Sequence, residues 1–486
     1  MPWAMQISGF VLGGLTLVIM GLMSFYTIAL ILRIPPMFKK LHPNNKLGGV
    51  VDYSNVVKYY LGKTGFLVSN IFSTLAFFGA LVVFFVLICD FSFNIVEFIH
   101  HQAIGQNSTV IPLNYFNRTW ENMICQPDFK NVSSQLSVYN PLFNSIINGK
   151  KENLLSYSYS GSVYEILWDR NYTVPFYIMI LLVLISYFGT TSFLSKFNAF
   201  GIISTLYLIV FVIVKCYSWG LVNFDINSND PLRRIKIFSP GFYRLTGISL
   251  LAYFIHNAIP FIMKAQKNPK HNVRDAGIAF SLIIMTYLVF GLGIFIFFPL
   301  PKQCLFDNIL DNFSNYDILC TTCRISLSIQ LITVYPLALN ILFRQFFLYF
   351  LSIPNPNNLL KFSTILLLTT LSCIFAVFYP SIGSIIGFVG ALCGLIYSIA
   401  VPCICKIMID REIQGLSKEE LNDLECLLEE SDETTNCEKV EEEDVQVTIE
   451  KHSKLVYYLM TFGHISLIIF GLINLFIQFY PLPTDE

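Results

Sequence analysis

Apolar residues along this chain come in runs of about twenty to thirty, each able at ~1.5 Å per helical residue to cross a hydrocarbon layer of roughly 30 Å. The runs cover 9–33, 66–99, 174–193, 199–218, 245–263, 277–299, 325–349, 362–378, 385–408 and 455–480. Residues 1–7, where Pro2 and Trp3 follow at once on Met1, read as the remnant of a further helix whose beginning lies upstream. The pattern predicts an all-α polytopic membrane protein of about eleven spans, the first incomplete. Composition agrees: 54% of the 486 residues are hydrophobic and 13% are charged, outside the range of soluble domains.

The polar segments orient the spans. Lys39, Lys40, Lys46, Lys58 and Lys63 follow the first full run and place that loop in the cytosol. The long polar segment 100–173 carries N-glycosylation sequons at Asn107, Asn117, Asn131 and Asn171, which puts it on the lumenal or extracellular side. Lys264, Lys267, Lys270 and Arg274 fall on a cytosolic loop in the same scheme, and a fifth sequon, at Asn312, falls on an outer one. Arg233, Arg234 and Lys236 land outside against the rule. Residues 9–410 form one transmembrane core and 455–480 the last span. Between them, 411–451 holds about fifteen carboxylates and reads as a solvated, disordered cytosolic loop. Within it Asp423, Leu427 and Leu428 fit an acidic dileucine sorting signal; an amphipathic helix fits the same spacing.

One run is unlike the others. Leu245 to Lys264, LTGISLLAYFIHNAIPFIMK, carries His256 and Asn257 near its middle and Pro260 one turn later. Proline removes a backbone donor, so a helix break is expected at Pro260, with freed backbone groups and polar side chains at membrane depth. Intramembrane polar groups of this kind mark ligand sites in many transporters. The competing reading is a kinked packing helix with an interhelical hydrogen bond. Paired catalytic carboxylates and metal-spaced histidines do not occur in the spans, so the sequence does not suggest an enzyme. Asp90 is expected at the outer interface. The twelve cysteines are mostly single within apolar runs, and Cys320-Thr-Thr-Cys323 is a lone pair without a second.

Several stretches resemble the amino acid/auxin permease superfamily and, more narrowly, solute carrier family 38, the sodium-coupled neutral amino acid transporters, in particular its lysosomal arginine-transporting and arginine-sensing branch. They are Met1-Pro2-Trp3 with Gly9, Thr173-Val-Pro-Phe176, Phe193-Leu-Ser-Lys-Phe-Asn198, Phe254-Ile-His-Asn257, Asn272-Val-Arg-Asp275, Leu310-Asp-Asn-Phe313, Thr333-Val-Tyr-Pro336, Phe378-Tyr-Pro380 and Gly390-Ala-Leu-Cys-Gly394. They run in family order over nearly the whole chain.

The resemblance implies an inverted-repeat (5+5) fold with Leu245 to Lys264 as the sixth helix, His256 and Asn257 as substrate-binding residues, and Thr333 on the eighth helix as a sodium-binding residue. Sodium is then a coupling ion, and no cofactor is implied. It also places a histidine at the position of His464, an imidazole whose ordinary pKa suits a switch facing an acidic lumen. Family members carry cysteines in the two outer loops that hold Cys125 and Cys304, which makes these two the expected disulfide, with Cys320 as the rival partner. The family's unwound first-helix motif would lie upstream of Pro2. So would the cytosolic tail through which the lysosomal branch engages Rag GTPases and Ragulator, partners expected only where that tail exists. The acidic loop is longer than the family's. The expected function is a lysosomal or late endosomal transporter, with the plasma membrane as the alternative site, that exports arginine or large neutral amino acids by alternating access. The alternative is a transceptor that binds amino acid and signals to TOR without appreciable flux.

Overall fold

The computed structural model describes residues 1–42, 52–104, 113–115, 118–120, 122–125, 163–189, 191–221, 235–263, 266, 268–351, 353, 356–379, 382–417 and 453–478. Its helices are α1 (Pro2–Ser8), α2 (Phe10–Leu41), α3 (Tyr53–Ile104), α4 (Val163–Leu167), α5 (Thr173–Phe188), α6 (Thr191–Asn198), α7 (Gly201–Trp219), α8 (Phe242–Ala252), α9 (Ile259–Met263), α10 (Asn272–Phe297), α11 (Ile318–Gln345), α12 (Asn358–Phe378), α13 (Ile382–Cys393), α14 (Val401–Gly415) and α15 (Lys454–Ile477). A two-stranded antiparallel hairpin, β1 (Leu113–Tyr115) with β2 (Arg118–Trp120), pairs Leu113 with Trp120 in the segment after α3. Eight helices among the described residues are long and apolar enough to cross a membrane, and α5 is a shorter apolar one. The multi-pass helical architecture read from hydropathy is therefore present.

The chain forms two compact units. The first comprises 1–16, 77–245 and 286–385; the second comprises 17–76, 246–285 and 386–486. In the first, Leu81, Phe85 and Ile88 of α3, Val174, Ile178 and Leu182 of α5, Tyr335, Leu339 and Leu342 of α11 and Ile365 of α12 make a continuous apolar core. The start of α2 is anchored there by backbone: the amides of Phe10 and Val11 donate to the carbonyls of Lys236 and Ile237 at 2.9 and 3.2 Å. Those are orphan donors of a helix N-terminus, satisfied by a passing strand of chain. Gly9, at φ 83°, permits the approach, since a Cβ there would lie 2.7 Å from the Ile237 carbonyl oxygen.

In the second unit α8 and α13 touch through backbone. A Cβ on Gly390 would meet the Gly247 carbonyl oxygen at 2.1 Å, and one on Gly247 would meet that of Gly387 at 2.5 Å. Small residues let helices in a membrane approach this closely. Between α13 and α14 the helix continues as a π segment, Gly394–Ala400, on which α15 packs.

Three boundaries differ from the hydropathy reading. Helix α3 begins at Tyr53, not near residue 66, because Tyr53, Val56 and Val57 are buried while Lys58 faces out, an amphipathic turn ahead of a kink at Gly62. Helix α14 carries the chain to Gly415, so the acidic loop starts later than 411; Ile409 and Ile413 remain buried and hold that last turn. Asp423, Leu427 and Leu428 lie outside the described residues, as do Asn107, Asn117 and Asn131.

Candidate functional site

The run 245–264 is a broken helix, and the break lies just before Pro260 instead of at it. Helix α8 ends at Ala252, residues 253–258 are non-helical, and α9 resumes at Ile259. A continuous helix would need the Pro260 nitrogen to donate to the His256 carbonyl four residues earlier, and the proline ring would clash with that carbonyl. The interruption therefore falls at 256, while Pro260 sits in the first turn of α9, where its missing N–H costs nothing. The Ile255 carbonyl accepts from Ala258 and Ile259 at 3.0 and 2.9 Å and starts α9. Among the described residues, the amides of Ile255, His256 and Asn257 donate to no backbone carbonyl.

Both polar side chains of the break are buried, His256 fully and Asn257 to 8% exposure. Each is held by a neighbouring hydroxyl of the same unit, and the His256 ring also meets the Ser24 backbone carbonyl. His256 Nε2 lies 2.8 Å from Thr27 Oγ1 on α2, and Asn257 Nδ2 donates to Ser73 Oγ on α3 at 2.6 Å. Each also leaves one polar atom, His256 Nδ1 and Asn257 Oδ1, buried without a hydrogen-bond partner. Ser24 Oγ on α2 and Ser249 Oγ on α8 are buried and unpartnered as well. A buried polar atom left unpaired costs ~1–3 kcal/mol, a cost that a ligand hydrogen-bonding to His256 Nδ1 and Asn257 Oδ1 would offset. Tyr253, at the end of α8, fixes the approach to the break, its hydroxyl donating to the Leu17 carbonyl at 3.1 Å and its ring stacked on Phe280.

Sequence reasoning singled out His256 and Asn257 as candidates but not Thr27, Ser73, Ser24 or Ser249. Isolated Ser and Thr in apolar helices ordinarily bond their own backbone, and nothing in their spacing distinguishes these four. Thr333 belongs to the first unit and does what such residues usually do: its hydroxyl donates to the Gln330 carbonyl at 2.8 Å, leaving oxygen lone pairs for a hard cation. His464, on α15, is buried with Nε2 2.6 Å from Tyr26 Oη of α2.

In the first unit, Cys125 is bonded to Cys304, while Cys320 is a free, buried thiol whose Sγ contacts the Leu310 carbonyl at 3.7 Å. The Asn312 reading needs correcting. Asn312 is fully buried, its Nδ2 donating to the carbonyls of Cys304 and Ile124 at 2.6 and 3.0 Å and its Oδ1 accepting from the Phe306 amide at 2.9 Å. A glycan has no room on that nitrogen, so Asn312 is a structural residue that ties the chain around Cys125 to the loop after α10. Asn171 is exposed. Asp90 is bridged by Arg170 at 2.9 Å, and Arg170 also reaches Asp311 at 3.8 Å. Arg324, unremarked in the sequence, is 1% exposed and holds the same loop through the carbonyls of Leu310 and Phe313 at 2.8 and 2.9 Å.

A broken helix with unpaired polar groups at its centre can be compared with known proteins. Residues 1–117 and 158–423 match the family described as transmembrane amino acid transporter protein. The chain belongs to that family. It is 30% identical over 407 residues to the "Sodium-coupled neutral amino acid transporter 9 homolog" of Caenorhabditis elegans, covering 84% of this chain and 65% of that one. It is 32% identical over 431 residues to "Neutral amino acid transporter 9" of Rattus norvegicus and 31% over 411 to the protein of that name in Xenopus tropicalis, spanning 71% and 70% of their lengths. The family match includes the whole of α8, the break and α9, so the site described above lies within the shared region.

Proposed function

We propose that this protein carries amino acids across a membrane by alternating access, with the break at 253–258 as part of the substrate site. The observation that carries the reading is the set of buried, unpartnered polar atoms at that break, in a chain of the transmembrane amino acid transporter family. A zwitterionic amino acid offers both donors and acceptors to such atoms, and transporters commonly hold substrate at interrupted helices. Neutral amino acids are proposed as substrates from the names of the relatives, and arginine and the larger neutral amino acids from the resemblance of the motif set. Sodium is proposed as the coupling ion, with Thr333 among its oxygen ligands, and the lysosomal membrane as the location, served by Asp423, Leu427 and Leu428.

The test is counterflow. Proteoliposomes holding the purified chain and preloaded with unlabelled leucine or arginine should accumulate the labelled amino acid faster than empty ones, with and without a sodium gradient. Saturable binding without counterflow would favour the alternative, a transceptor that reports amino acid without moving it.

A further inference from the structure

Thr27 Oγ1 has three polar neighbours: His256 Nε2 at 2.8 Å, and the carbonyls of Ser24 and Met23 in its own helix at 3.1 and 3.2 Å. A hydroxyl has one proton to donate and two lone pairs. Carbonyl oxygens only accept, so two oxygens this close need the Thr27 proton between them. Thr27 then meets His256 with a lone pair, and the proton on that contact belongs to Nε2. In the neutral ring the other nitrogen, Nδ1, is a bare acceptor. The reverse assignment would press the Thr27 oxygen against two carbonyls without a proton and bury an Nδ1–H donor that has no acceptor.

Asn257 arrives at the same result by its own contacts. Its Nδ2 donates to Ser73 Oγ at 2.6 Å and faces the Ser73 carbonyl at 3.4 Å, a pairing that an exchange of the amide's oxygen and nitrogen would turn into a repulsion. Oδ1 is left over. Two successive residues of the break thus end in buried acceptors with no donor, one nitrogen and one oxygen.

We propose that Thr27 is a positioning residue that locks the tautomer of His256, so that Nδ1 and Asn257 Oδ1 accept hydrogen bonds from the α-ammonium group of the substrate. An ammonium group brings three N–H donors, enough for both acceptors and one more. A sodium ion fits this pair less well, because hard cations take oxygen ligands and not imidazole nitrogen. The inference rests on the transport reading and adds to it a specificity: 2-hydroxy acids, which offer a single donor in place of the ammonium, are rejected.

The experiment uses the full chain in nanodiscs and measures displacement of radiolabelled leucine by leucine and by 2-hydroxy-4-methylpentanoate. Wild type should prefer leucine by at least about a hundredfold, as sites built around a hydrogen-bonding group do. Thr27→Val, which keeps the shape and removes the hydroxyl, should weaken leucine by about tenfold and narrow the preference over the hydroxy acid, and Thr27→Ser should restore both. Nitrogen-15 spectra of histidine-labelled protein, with His256 assigned by its loss in His256→Asn, should show the Nε2–H ring in wild type and a mixture in Thr27→Val. Wild-type leucine affinity and preference in a folded Thr27→Val protein, or a ring protonated at Nδ1 in wild type, would overturn the proposal. Absence of any amino acid binding by wild type, with the Nε2–H ring intact, would overturn the transport reading and the ammonium role together while leaving the tautomer assigned.

Discussion

Replacing Asn312 separates its structural role from its sequon. Asn312→Ala would leave three backbone groups without these partners: the buried carbonyl of Cys304 and the part-buried carbonyl of Ile124 and amide of Phe306. A fully buried orphaned group costs ~1–3 kcal/mol, and two of these three hydrogen bonds are only part-buried, so the sum should fall near the lower end, ~3 kcal/mol. For a chain of this length that corresponds to an apparent melting temperature lower by roughly 3 °C. The assay is differential scanning fluorimetry of detergent-purified protein after enzymatic deglycosylation, which removes any contribution of glycans to both variants. Asn171→Gln, at an exposed sequon, serves as control and should melt with wild type. Glycopeptide mass spectrometry of wild type adds a second reading, in which Asn312 should be unmodified. Full glycan occupancy at Asn312 in folded protein, or an unshifted Asn312→Ala melting curve, would refute the argument from burial.

Burial first and Asp90 second push the Asp311 carboxyl up to about 7, against the pull of Arg170. The folded protein then holds a proton that the unfolded chain gives up at its ordinary 3.8, so stability should rise as pH falls from 7.5 towards 4, and Asp311→Asn should flatten that slope in melting curves. Gly390→Leu drives a side chain into the Gly247 carbonyl and should abolish monodisperse elution in size-exclusion chromatography, whereas Gly463→Ala, with nothing within 4 Å, should not. If the contact between His464 and Tyr26 sets the pH response of transport, His464→Gln and Tyr26→Phe should both flatten the uptake profile between pH 5 and 7.5; an unaltered profile in both would remove His464 from the account.

Hydropathy and the positions of His256, Asn257 and Pro260 were enough to locate the spans and the broken helix, because lipid imposes length and polarity rules that a single sequence displays. The break was misplaced by a few residues. Proline acts on the carbonyl four positions before it, and that carbonyl is His256, so the interruption precedes Pro260. The partners of the break stayed hidden for a different reason: Thr27 and Ser73 reach His256 and Asn257 from 229 and 184 residues away in sequence, and nothing local records such a meeting. Asn312 misled because a sequon states only which residues are adjacent in the chain; the three hydrogen bonds that bury its amide come from folding. The backbone contact of Gly247 with Gly387 and Gly390 is visible afterwards as glycines in two apolar helices, yet the sequence does not say which helices meet.

The most direct test of the central claim is counterflow of labelled leucine and arginine in proteoliposomes carrying wild type or Asn257→Ala, normalised to reconstituted protein of equal melting temperature. The account predicts saturable counterflow of at least one of the two amino acids by wild type, and a loss of about tenfold or more when the Asn257 amide is removed. Equal counterflow by the two proteins would contradict it, because the break at 253–258 would then hold no part of the substrate.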